Sequence, residues 1–134
     1  MGMPSWCTGN NLMSRRRRTF TNSKHGWVKT QKGGKIYVRS SWEKQFAQIL
    51  DEDNNVLNFQ YEPIAIRYNY KGGKRNYYPD FLVRMRNGDM VLCEVKPKEL
   101  IDYGKNKPKA AAGRRFCKKM GWTYKIITED IISV

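Results

Sequence analysis

Histidine is all but missing from this 134-residue chain, which carries only His25, and its three cysteines, Cys7, Cys93 and Cys117, include no CxxC pair. A structural zinc site draws on closely spaced Cys and His ligands, and a disulfide framework needs an even set of cysteines, so neither is supported. The thiols are expected to be reduced, as in the cytoplasm. No apolar run approaches the roughly 18 residues of a membrane span, and neither a signal-peptide pattern nor an anchored basic amphipathic helix is present, so a membrane is not the expected partner. Acid is scarce too: 12 Asp plus Glu face 26 Lys plus Arg, a formal net charge of +14. That excess points to a polyanion, and in a small folded domain the commonest is nucleic acid, because each neutralised phosphate releases condensed counterions. His25 lies in a Gly- and Lys-rich stretch without a second imidazole, which fits a solvated loop or phosphate contact better than a general base.

The length allows one domain with one core. Residues 1–34 are poor in aliphatics and carry the run Arg15, Arg16, Arg17, Arg18, followed by Lys24, Lys29 and Lys32. Four adjacent arginines repel one another and resist burial, so this segment is expected to be a basic, flexible arm that is solvated or ordered only against phosphates. The folded domain is expected to span 35–134. Order begins near Ile36, and Trp42, Phe46, Ile49 and Leu50 recur at the spacing of one helix face behind a Ser40/Glu43 capping box. That predicts a helix of about three turns. Val56 to Tyr61 reads as extended. Ile64, Ile66, Tyr68 and Tyr70 then alternate with polar residues as in a half-buried strand, Lys71 to Lys74 turn the chain, and strands follow over Asn76–Arg84 and Met90–Lys96. These three strands are expected to form an antiparallel meander. Pro108 to Gly121 suits a helix with an Ala112, Phe116, Met120 stripe and with Lys109, Arg114, Arg115, Lys118 and Lys119 outside, and Trp122 to Ile127 suits a last strand. The fold class is therefore mixed α/β, a central sheet covered by helices.

The chemistry concentrates in one hairpin, Tyr78-Pro79-Asp80-Phe81-Leu82-Val83 and Val91-Leu92-Cys93-Glu94-Val95-Lys96, where two acids and a lysine interrupt apolar strands. A buried unpaired carboxylate is costly, so such residues need a cation, a hydrogen-bond network or a cleft. Turn chemistry decides whether the two acids meet. With a two-residue Asn87-Gly88 turn they project from opposite faces. With a three-residue loop, Arg86-Asn87-Gly88, and Gly88 left-handed, Met85 faces Asp89 and Asp80 lies opposite Glu94. The second register also gathers Phe81, Val83, Val91, Cys93 and Val95 on a wholly apolar face and leaves Asp80, Leu82, Leu92, Glu94 and Lys96 on the other. Two neighbouring carboxylates suit a hard cation, Mg²⁺ or Mn²⁺ as its substitute, which bridges to phosphate oxygens, and Lys96 projects the same way to orient or help deprotonate attacking water. A surface acid–lysine pair at a sheet edge is the plainer alternative.

These residues resemble the PD-(D/E)XK nuclease superfamily, whose signature reads here as Pro79-Asp80 and Glu94-Val95-Lys96. The wider blocks Arg39-Ser40-Ser41-Trp42-Glu43, Tyr61-Glu62-Pro63 and Tyr77-Tyr78-Pro79-Asp80-Phe81 look more specifically like TnsA-type transposon endonucleases and small phage head-completion nucleases, with related homing endonucleases a further possibility. The resemblance covers about residues 36–128. It implies a restriction-endonuclease-like αβββαβ core with a central mixed sheet flanked by helices, and metal-dependent hydrolysis of DNA phosphodiesters in a phage or mobile-element setting, head completion or homing-type cleavage. It implies Asp80, Glu94 and Val95 as the metal-binding set, Lys96 as water-positioning base or electrostatic stabiliser, and Glu43 as an additional ligand or its support. The compartment is then the host cytoplasm if the protein is phage-encoded. No small-molecule cofactor is called for, and a homodimer is expected if both strands of a duplex are cut.

Glu43 is equally explained as the acid of a capping box, and Glu62, beside Pro63, suits a salt bridge or turn better than a metal. Phosphate contacts are expected from Arg15 to Arg18, from the turn with Lys71, Lys74 and Arg75, and from Arg114, Arg115, Lys118 and Lys119; such contacts position a duplex without reading sequence. Tyr68, Tyr70, Tyr77 and Tyr78 suit packing better than base stacking. The alternative from another functional class is a non-catalytic nucleic-acid-binding or packaging module on the same fold.

Overall fold

The structure is a computed structural model that describes residues 5–8 and 25–132. Its elements are a four-residue helix α1 (Ser5–Thr8), strands β1 (Gly26–Lys29) and β2 (Lys35–Val38), helix α2 (Ser41–Glu52), strands β3 (Val56–Tyr61), β4 (Ile66–Tyr70), β5 (Gly73–Tyr77), β6 (Phe81–Met85) and β7 (Met90–Val95), helix α3 (Asn106–Met120) and strand β8 (Thr123–Ile127). A single 3₁₀ turn, Lys98–Leu100, separates β7 from α3. The central sheet has the order β3-β6-β7-β8, antiparallel except for the parallel β7–β8 pair that α3 connects. Parallel neighbours need such a crossover. Stripped of α1 and its two hairpins, the chain reads αβββαβ, a mixed α/β fold consistent with the restriction-endonuclease-like class. Among the described residues no helix is long and apolar enough to cross a membrane.

Strand alternation sorts the core into two layers. Phe81, Val83 and Met85 of β6 and Val91, Cys93 and Val95 of β7 face Trp42, Phe46 and Leu50 of α2, together with the inner face of the β1–β2 hairpin. Leu82 and Leu92 point the other way, against Ala112 and Cys117 of α3 and Ile66, Tyr68 and Tyr77 of the β4–β5 hairpin. Helix α2 starts where the spacing predicts. Ser40 is extended and its hydroxyl accepts the Glu43 N–H at 3.1 Å, which satisfies one of the otherwise unpaired first-turn amides.

The expected meander does not form. Pro79 has no N–H to give to a ladder, so Tyr78-Pro79-Asp80 breaks the long second strand into β5 and β6. Among the described residues strand β4 pairs only with β5, through a two-residue turn in which Lys71 and Gly72 are both left-handed (φ 50° and 76°), and β3 takes the vacated edge of β6. The ordered fold also starts before Ile36, because Trp27 pairs with Tyr37 and Val28 with Ile36 across a hairpin. Further upstream, Trp6 of α1 is buried, packs edge-on to Phe46 and donates its indole N–H to Asp53 at 2.9 Å. The stripe of α3 differs too. Ala110, Ala112, Gly113 and Cys117 are buried while Met120 is exposed, because small residues let the helix approach the sheet closely: a Cβ on Gly113 would lie 2.4 Å from the Tyr124 ring. The helix closes on left-handed Gly121, whose N–H reaches back to the last turn.

Candidate active site

The loop between β6 and β7 fixes the geometry. Met85 N–H donates to Asp89 at 2.8 Å, Gly88 N–H donates to Met85 at 3.0 Å, and Gly88 has φ 97°, the bulged three-residue turn that the side-chain sorting required. Phe81 therefore opposes Cys93 and Leu82 opposes Leu92, and Asp80 and Glu94 are the next residues along. Asp80 sits on irregular backbone just after Pro79 and is buried. Its carboxylate accepts the Val95 N–H at 2.7 Å. Burial first, then the charges of Glu94 and Glu43, raise its pKa well above the ordinary carboxylate range against the opposing effect of that hydrogen bond. Glu94 is also raised, by burial, and is eased by the Lys96 ammonium 3.5 Å away and by the Tyr77 hydroxyl. Lys96 is as shielded as Glu94, their side chains 12% and 14% exposed. Val95 has an apolar side chain turned into the core and its amide spent on Asp80, which leaves its carbonyl oxygen as its only polar atom to offer.

Glu43 does more than begin its helix. One carboxylate oxygen takes the Arg39 N–H at 2.8 Å and the Tyr61 O–H at 2.6 Å, so the reciprocal bond of a capping box falls one residue earlier than the Ser40 amide. Its charge reaches both Asp80 and Tyr61, whose phenol is held well above its ordinary value by burial and then by Glu43. Glu62, in the left-handed region (φ 48°), pairs with the Arg39 guanidinium and donates its N–H to the Asp80 carbonyl at 2.8 Å. Thus Glu62 serves a salt bridge and a turn.

Three members of this cluster escape a reading by sequence pattern. Tyr77 donates to Glu94 at 2.7 Å and contacts the Tyr124 hydroxyl at 2.8 Å, so a chain of two phenols from β5 and β8 holds the glutamate. Lys109 does not stay outside α3. It is half-buried with its ammonium 5.8 Å from the centre of the Tyr77 ring; burial lowers its pKa while the charge of Glu94 opposes the shift. One residue is spaced with the outer cations of the helix and the others read as strand packing, and only the sheet register brings them to Glu94.

The predicted phosphate contacts divide. Lys71, Lys74 and Arg75 are exposed on the β4–β5 hairpin, and Arg114, Arg115, Lys118 and Lys119 are exposed on α3; both elements cover the Leu82–Leu92 side of the sheet. Arg15 to Arg18 lie outside the described residues. Of the four tyrosines weighed for stacking, Tyr68 and Tyr77 are buried, Tyr70 is half-buried and Tyr78 is exposed. Among the described residues no three His, Cys, Asp or Glu side chains form a metal cage. The donors present are two shielded carboxylates and backbone carbonyls, an all-oxygen set. A hard cation that keeps part of its water shell suits such a set.

A mixed sheet with paired acids and a lysine at the adjoining ends of two strands is consistent with a nuclease of the PD-(D/E)XK type, and residues 53–129 match the family model described as TnsA-like endonuclease N terminal. That match spans more than half of the chain, which belongs to this family. Among its relatives is the head completion nuclease of Enterobacteria phage T4, 28% identical in a match that covers 72% of this chain and 80% of that protein.

Proposed function

We propose that the protein is a divalent-metal-dependent DNA endonuclease of phage origin, acting in head completion as the name of its T4 relative indicates, with Asp80, Glu94 and Lys96 at its centre. The observation that carries this reading is the placement of Asp80, just before β6, beside Glu94 near the end of β7, close enough for their charges to interact, with the Lys96 ammonium 3.5 Å from Glu94. Asp80, Glu94 and the Val95 carbonyl would hold Mg²⁺, or Mn²⁺ in its place. A divalent ion there supplies charge stabilisation at the scissile phosphate and a more acidic water. Val95 N–H fixes the Asp80 carboxylate, Tyr77 fixes that of Glu94, and Lys96 orients the attacking water and offsets phosphate charge. Glu43, held by Tyr61 and the Arg39 amide, adds a further negative charge near Asp80 that favours a cation there. Exposed cations on α3 and the β4–β5 hairpin, with the arginine arm, would grip the backbone of the duplex. We place the action in the host cytoplasm, in keeping with three unpaired, buried cysteines, and a homodimer follows if both strands are cut.

The test is a plasmid assay. With Mg²⁺ the protein nicks or linearises DNA, Lys96→Ala abolishes cutting while salt-sensitive binding persists, and Asp80→Ala from the same preparation is inert. Cutting that survives excess EDTA would refute the mechanism. Binding without cutting in Mg²⁺ or Mn²⁺ would favour a packaging module on this fold.

A further inference from the structure

The described part of the N-terminal segment contains a surface that the reaction centre does not use. On the β1–β2 hairpin Val28, Ile36 and Val38 face the core, so Trp27 and Tyr37 point outward. They are direct cross-strand partners, with ring centroids 5.2 Å apart and planes at 78°. Trp27 is nevertheless 62% exposed and Tyr37 44%. A cross-strand aromatic pair stabilises a hairpin, but that role leaves so large an apolar face in water unexplained. The surroundings are cationic. The Lys35 ammonium lies 4.9 Å from the Trp27 ring centre, Lys29 pairs with Lys35 across the strands, and His25 stands edge-on to Tyr37. No acidic residue occurs from His25 to Ser41.

Asp51 caps the loop of the hairpin through the Gln31 and Lys32 amides, but aromatic faces flanked by lysines are the chemistry of unpaired nucleic-acid bases, which stack on the rings while the lysines meet the phosphates. Position favours the same ligand. Exposed Arg39 follows directly on β2, two residues after Tyr37, and its amide donates to Glu43 at 2.8 Å, so the chain leads from this surface to the acidic cluster. We propose that Trp27 and Tyr37, with Lys29 and Lys35, form a stacking platform for unpaired nucleotides, so that the preferred substrate is DNA with a single-stranded segment or frayed end beside the duplex that is cut. This specificity rests on the endonuclease reading above. The binding site itself does not.

Binding is therefore measured without metal, by fluorescence anisotropy of a labelled single strand and of a blunt duplex of the same sequence. Loss of two stacking positions lowers single-strand affinity by about tenfold or more. The ratio of single-strand to duplex affinity falls by that factor in the double variant Trp27→Ala, Tyr37→Ala and is kept in Trp27→Phe, with thermal melting as the check on folding. A ratio that stays within about threefold of the parent overturns the platform. If the double variant fails to fold, the parent protein decides: photocrosslinking to a bromouracil-substituted single strand attaches to Trp27 or Tyr37, and crosslinks mapping only elsewhere overturn the proposal. Failure of Mg²⁺-dependent cleavage would remove the endonuclease reading and leave the affinity ratio standing.

Discussion

Asp80→Asn should make the metal-free protein more stable while destroying its response to Mg²⁺. Asparagine is nearly the same shape and its carbonyl oxygen accepts the Val95 N–H that Asp80 accepts at 2.7 Å, so the change removes charge and keeps the contact. Asp80 sits one position beyond the Phe81–Cys93 pair, beside Glu94. Directly opposed side chains have Cβ atoms about 5 Å apart, and unit charges about 6 Å apart at an effective dielectric of about 20 repel by about 3 kcal/mol. Lys96 beside Glu94 and Lys109 near both acids offset part of this. A gain of about 1–3 kcal/mol remains, or about 3–10 °C for a chain of this size. Magnesium at about ten times its Kd adds about 1.4 kcal/mol, about 5 °C, to the parent protein and nothing to the variant. Melting in EDTA and in Mg²⁺ measures both effects. A variant less stable than the parent in EDTA, or a parent that Mg²⁺ does not stabilise, would refute the reasoning.

The raised pKa of Asp80 has a definite sign. The folded state holds the proton more tightly than the unfolded one, so in chelator this group's contribution is fully present below the ordinary carboxylate value near about 4 and is lost as pH rises toward its raised value. The melting-temperature difference between Asp80→Asn and the parent should therefore widen from acid toward neutral pH; a constant difference would argue against a strained carboxylate. Tyr77→Phe removes the O–H that holds Glu94 at 2.7 Å and should raise the Mg²⁺ concentration for half-maximal cleavage by about tenfold, as for other groups that orient a metal ligand; an unchanged requirement would make the phenol a packing residue. Gly113→Ala places a Cβ 2.4 Å from the Tyr124 ring and should cost about 1–3 kcal/mol, read by urea melts, while raising the Mg²⁺ requirement through Tyr77. Phe46→Ala, at a fully buried position, should cost about 3–5 kcal/mol.

The parts of this fold legible in the sequence are those written in local chemistry. Ser40 and the Trp42, Phe46, Leu50 spacing announce α2, and the demand that Asp80 and Glu94 share a face selects the three-residue loop at Gly88 that the structure contains. What the pattern hides depends on long-range choice. Alternation runs through Tyr77 and resumes at Phe81, and nothing local says that Pro79 sends the two halves to different sheets or that β3 fills the edge of β6. Lys109 is spaced like the outer cations of α3, and only the sheet beneath draws it toward Glu94. Trp27 and Tyr37 escaped notice because a short hairpin among glycines and lysines leaves little periodicity to read.

The central claim is that Asp80 and Glu94 jointly hold one divalent ion. Titrating Mn²⁺ into the protein and following free Mn²⁺ by electron paramagnetic resonance tests it without DNA or turnover. The parent should bind one ion that both Asp80→Asn and Glu94→Gln lose, each alone. An ion still bound with parental affinity in both variants would contradict the account.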